Sequence, residues 1–180
     1  MGLFNGKEIN LKKTIVIKFE TTGLNPAEDK ILRFTAIDGH GSVVMDQLIN
    51  PLITDDDPVV ESWKNTIKFH GITQKSVSHE PFLGVVIKKI EKIINEAQCV
   101  VSYTNLEEEF MKAKGFHIDY DKANKFFIML VGHFGWKKLN ALIKEYGFSV
   151  SATQRNTVEK LRATLFLFYK WGEDENVKFI

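Results

Sequence analysis

One cysteine, Cys99, is all the thiol that 180 residues offer. A lone thiol forms no intramolecular disulfide and cannot complete a zinc site of paired cysteines, so a reducing, cytoplasmic setting is expected. The chain also lacks a charge bias: Lys and Arg number 24 against 23 for Asp and Glu. A strong, indiscriminate binder of polyanions is thereby excluded, and any anion site must be local. No long apolar run is present either. The opening "MGLFNGKEINLKK" contains no signal peptide or membrane span, and Gly6 stands where a myristoylation signal needs Ser or Thr, so the expectation is a soluble, unanchored protein with no membrane partner. Repeats, low-complexity segments and linkers are missing too. What remains is 44% hydrophobic and 12% aromatic residues, enough for one sizeable core and hence one domain over residues 1–180.

Two β-rich runs, "TIVIKFE" and "ILRFTAID", flank the turn formers Gly23, Asn25 and Pro26, which predicts an antiparallel pair. After Gly39 and Gly41, the alternating Val43, Met45 and Leu48 add a third strand, giving a three-stranded meander. "ESWKNTIKFHGIT" reads as a short helix or loop. Between Pro81 and Glu96, Phe82, Val85, Val86, Ile90, Ile93 and Ile94 recur at helical spacing. "CVVSY" is a short strand, and "NLEEEFMKAKG" a helix with Asn105 to cap it and Gly115 to stop it. Tyr120 to Gly135 carries no clear period. Trp136 to Tyr146 is helical, closed by Gly147, and "TVEKLRATLFLFYKW" is a last amphipathic helix. Strands first and helices later predict an α/β fold with a mixed sheet flanked by α-helices.

Short motifs then carry a resemblance. "VIKFETTGLNPAEDKILRFTAI" resembles the first motif of the DEDD (DnaQ-like) 3′–5′ exonuclease superfamily, whose fold is ribonuclease H-like and whose strand bears Asp-x-Glu. "LINP" at Leu48 to Pro51 and "FHGIT" at Phe69 to Thr73 also look like family segments. "SYTNLE" at Ser102 to Glu107 is similar to the second motif, with Glu107 in place of its Asp and Glu108 as the alternative. "LNALIKEYGFSVSATQRNTVEKLRATLFLF" resembles the closing His-x-x-x-x-Asp segment, with Gln154 and Glu159 at those two positions. The likeness spans about residues 14–170.

The resemblance implies a site of two divalent ions, Mg or Mn, that activate a water and stabilise a leaving oxygen. Hard ions want oxygen ligands, and this sequence departs from that pattern at four of five positions. Lys18 replaces the bridging Asp, and an ammonium repels cations. Glu107 and Glu159 are one methylene longer than the Asp they replace. Gln154 supplies no basic nitrogen in place of the His. Glu20 alone is retained. The expectation is a degenerate exonuclease-like domain without catalytic activity and without a cofactor, acting as a nucleic-acid-binding or regulatory module. Lys18 is expected to pair with Glu20 and with Glu107 or Glu159, filling the old metal site with ion pairs.

Thr21, Thr22, Gly23, Leu24 and His70 are the residues that the resemblance assigns to a terminal nucleotide, so the expected partner is a single-stranded 3′ end, weakly held, or else a protein. Two alternatives stand beside this. One is an active exonuclease in which Glu20, Glu107 and Glu159 hold metal, and the other is an interaction scaffold with no affinity for nucleic acid. Taken singly the residues have plainer readings: Glu20 as a surface carboxylate, Glu107 to Glu109 as a solvated helix start favoured by the dipole, His70 as a structural side chain. Phe126, Phe127, Phe134, Phe166 and Phe168 read as core.

Overall fold

The computed structural model describes residues 4–121, 125–135, 137–148 and 156–180. In chain order the strands are β1 (Glu8–Ile9), β2 (Thr14–Thr21), β3 (Ile31–Asp38), β4 (Val43–Leu48), β5 (Cys99–Ser102), β6 (Phe126–Met129) and β7 (Lys178–Phe179). The helices are α1 (Val59–His70), α2 (Gln74–Val77), α3 (Leu83–Glu96), α4 (Leu106–Ala113), α5 (Val131–Phe134), α6 (Leu139–Glu145) and α7 (Thr157–Asp174). The main sheet has the order β4-β3-β2-β5-β6. Its β4-β3-β2 half is the antiparallel meander, and β5 and β6 add in parallel. β1 and β7 pair separately, in parallel, joining the two ends of the chain.

β2 is central, and β-branched and aromatic residues buried on both faces suit that place. Side chains alternate across a strand, so Ile15, Ile17 and Phe19 pack with Ile90 and Ile94 of α3 and Phe110 of α4. Val16 points the other way, into the layer formed by Leu142 of α6 and Leu161, Leu165 and Phe168 of α7. Lys18 and Glu20 share that second face. The sheet lies between two helical layers, and α1 seals one end through Trp63, whose indole donates to the Ile72 carbonyl at 3.0 Å. No helix among the described residues is long and apolar enough to cross a membrane.

Several expectations shift at the edges. The uncertain stretch before Gly135 contains strand β6 and the single turn α5. "ESWKNTIKFHGIT" resolves into a three-turn helix ended by Gly71 in the left-handed region, φ 71°. Asn105 does not cap α4 with its side chain. It lies in helical geometry and its amide donates to Glu109, while the Thr104 hydroxyl accepts from the Leu106 amide. Gly115, at φ 72°, does follow the end of α4. Gln154 and Trp136 lie outside the described residues.

Candidate functional site

Where β2 ends, its register against β3 slips between Glu20 and Thr21, a bulge that releases the chain into the Thr-Thr-Gly turn. The turn is pinned from inside. The Asp29 carboxylate, buried, accepts the Thr22 hydroxyl at 2.9 Å and the Asn25 amide at 2.8 Å. A Cβ on Gly23 would overlap the Asp29 carboxylate and the Ser62 hydroxyl, so only glycine lets the turn close against α1. The Thr21 hydroxyl donates to the Gly23 carbonyl. Both threonines therefore spend their hydroxyls on the turn, and Leu24, 75% exposed, is what it presents outward.

A cleft of about 450 Å³ opens between this turn, the end of α1, the start of α4 and α7. Lys18 and Glu20 form its floor. Glu20 Oε1 accepts two bonds from α7, from Thr157 Oγ1 at 3.0 Å and from Lys160 Nζ at 2.9 Å. Lys160 Nζ also donates to the Phe69 carbonyl at 3.3 Å. Glu107 Oε2 accepts from Thr104 Oγ1 at 3.1 Å, and its Oε1 lies 3.8 Å from Lys18 Nζ. Burial works to raise the Glu20 pKa, but Lys18, Lys160 and the two hydrogen bonds outweigh it and hold the carboxyl below the usual range. For Glu107 burial wins over Lys18 and pushes the carboxyl up. Burial opposes the charge on Lys18 as well, yet Glu20 and Glu107 more than offset it and raise its pKa. Lys160 is lowered, since burial exceeds its pairing with Glu20.

His70 stands at the cleft wall in a fixed tautomer. Its Nδ1 accepts the Ile72 amide at 3.0 Å, which leaves the proton on Nε2, 3.2 Å from Thr66 Oγ1. That hydroxyl in turn donates to the Thr22 carbonyl at 3.1 Å. His70 thus ties the end of α1 to the turn after β2, and burial lowers its pKa so that it stays neutral.

Of the residues singled out in the sequence, Lys18, Glu20, Thr21, Leu24, His70 and Glu107 meet around the cleft. Glu108 does not, since it pairs with Lys112 one turn farther along α4. Glu159 is also elsewhere. Its carboxylate takes the Arg162 guanidinium at 2.6 Å, and the side chain that reaches Glu20 is the next residue, Lys160. One position along a helix turns a side chain by about 100°, so the motif alignment missed the cleft by a single residue. Helical phase was the available signal: Thr157, Lys160, Leu161 and Thr164 fall on one side of α7.

A site for two divalent ions needs several oxygen ligands converging without competing cations. Here two carboxylates converge, Lys160 is hydrogen-bonded to one, and Lys18 stands beside the other. Among the described residues no group of three His, Cys, Asp or Glu side chains is placed to hold a metal ion. The described residues do not fit the two-ion centre.

A family model described as Exonuclease (RNase_T) matches residues 15–163. A product-bound structure of exonuclease I superposes with a TM-score of 0.69 at 16% identity, covering 89% of this chain and 43% of that one. Escherichia coli exonuclease I in complex with a dA16 oligonucleotide gives 0.69 at 15%, covering 90% and 41%. An exonuclease I complex with SSB-Ct gives 0.69 at 15%, covering 89% and 41%. The chain therefore spans about two fifths of these exonuclease I chains, and at such identity the likeness shows the ribonuclease H-like fold alone. No curated protein matches it in sequence.

Proposed function

We propose, since this chain belongs to the exonuclease family, that it is a member that holds the 3′ end of single-stranded nucleic acid weakly and does not cut it, serving as a binding or regulatory module within one domain, residues 1–180. The observation that carries this reading is the pair Lys160–Glu20, 2.9 Å apart, beside Lys18. Ammonium groups stand at both ends of the carboxylate cluster, where family chemistry calls for cations held by carboxylates. Exonuclease I structures with a dA16 oligonucleotide and with SSB-Ct make a single strand, or a protein that accompanies it, the natural class of partner. The free, buried Cys99 is in keeping with a reducing, cytoplasmic setting.

The test is direct. Purified protein in excess over labelled single-stranded DNA or RNA, with Mg²⁺ or Mn²⁺, is expected to leave the label full length. Shortening from the 3′ end that disappears in Glu20→Ala would overturn the reading and establish an active exonuclease with an atypical site.

A further inference from the structure

We propose that two lysines of the cleft divide the work that metal ions do in a two-ion nuclease site: Lys160 is the fixed counter-ion of Glu20, and Lys18 is the donor that contacts the terminal phosphodiester, so that binding needs no divalent metal. This rests on the nucleic-acid reading above and names the group that does the binding.

The two ammoniums differ in what they already hold. Lys160 Nζ bonds the Glu20 carboxylate and the Phe69 carbonyl, and its side chain is 17% exposed. Its charge and donors are largely committed. Lys18 Nζ has three donors and makes no side-chain hydrogen bond among the described residues. Its neighbour Glu107 Oε1 is 3.8 Å away, beyond hydrogen-bond reach, and the Lys18 side chain remains 29% exposed to the cleft. A half-buried ammonium with open donors is a costly arrangement unless something supplies acceptors. Glu107 is a weak rival for it, because burial disfavours the Glu107 carboxylate and Thr104 already occupies its other oxygen.

The remaining charges point the same way. Among the described residues the cleft is lined by three ammoniums, Lys18, Lys138 and Lys160, against two carboxylates, Glu20 and Glu107, with His70 neutral. Such a hollow attracts an anion and repels a divalent cation. Leu24 and Phe69, 75% and 51% exposed at its lining, offer apolar surface to the bases on either side of a phosphate.

Fluorescence anisotropy with a fluorescein-labelled single-stranded DNA oligonucleotide tests this, in EDTA and in Mg²⁺ at matched ionic strength. The expected Kd is the same in both buffers to within about twofold. Lys18→Met should weaken binding roughly tenfold or more, the scale of one charge-assisted hydrogen bond, and Lys18→Arg should restore most of it. An oligonucleotide with an uncharged methylphosphonate at its last linkage should lose a similar factor on the unmodified protein and little further on Lys18→Met. Binding that requires Mg²⁺, or a methylphosphonate end bound as tightly as the natural one, overturns the assignment to Lys18 while leaving the proposed function intact. No binding in either buffer overturns both.

Discussion

At the scale of the residue, Glu20 and Glu107 share one cleft and have opposite electrostatic fates. Glu20 receives an ammonium and a hydroxyl on one oxygen, which favours its charge. Glu107 is buried with its cation at 3.8 Å, which does not repay desolvation. The two therefore differ in their replacement by the neutral isostere. At neutral pH Glu20→Gln should cost on the order of 2 kcal/mol, because it leaves Lys160 without its counter-charge, whereas Glu107→Gln should change stability by less than about 1 kcal/mol. The pH dependence follows in sign. The folded pKa of Glu20 lies below its ordinary 4.5, so its stabilisation is complete above that value and is lost as pH falls through the folded one. Glu107 is raised, so its ionisation costs stability as pH climbs past 4.5. Urea unfolding of both variants at neutral pH and at acid pH well below 4.5 checks this; a Glu20→Gln deficit that persists unchanged at the lower pH contradicts it.

At the scale of the element, α7 connects the cleft to the far end of the molecule. Its first turn is held by the Asn156 side chain, which accepts the Glu159 amide at 3.1 Å, and its phase is set by Leu161, Leu165 and Phe168 packing under the sheet. Near its other end Gly172 lies against the Phe179 ring of β7, so closely that an added Cβ would overlap the ring. Phe179 cannot easily yield, being in edge contact with both Phe168 and Tyr169. Alanine is ordinarily the better helix residue by about 1 kcal/mol. At this position Gly172→Ala should instead destabilise by roughly 1–3 kcal/mol through overpacking, and a second change, Phe179→Leu, should recover part of the loss. Thermal melts of the single and double variants decide it, and a stabilised Gly172→Ala would show that β7 moves aside freely.

At the scale of the whole molecule, the sheet is clamped between two helical layers and the chain ends are tied by β1 and β7. The ion pairs of the cleft join side chains drawn from β2, α4 and α7, so their formation is part of folding. A ligand stabilises a protein only as far as it binds the folded state. Millimolar Mg²⁺ should therefore shift the melting temperature of the unmodified protein by no more than about 1 °C, since weak binding contributes little through mass action. The double change Lys18→Ala and Lys160→Ala should lower the melting temperature in EDTA, by leaving Glu20 and Glu107 unpaired, and should make it rise with added Mg²⁺. A large metal-induced shift in the unmodified protein is the outcome that contradicts this.

What the sequence determined by itself was whatever depends on local period. Alternation along "TIVIKFE" made β2 and placed Lys18 and Glu20 on one face, and helical spacing from Phe82 to Ile94 and from Thr157 onward made α3 and α7. The motifs at Glu20 and Glu107 were legible through the resemblance to family segments, which short runs of residues carry. Short pairings other than β5, which its β-branched Val100 and Val101 mark, were not: β6 has four residues and β1 and β7 two each, and they exist because a neighbouring edge supplies hydrogen bonds. Nor was Lys160 read from the chain, because a motif counts residues whereas the cleft is filled by direction. Lys160 reaches across 140 positions to Glu20 because Leu161, Leu165 and Phe168 fix the rotation of α7 against the sheet. That rotation belongs to packing, which no local pattern contains, and it decides which charge completes the site.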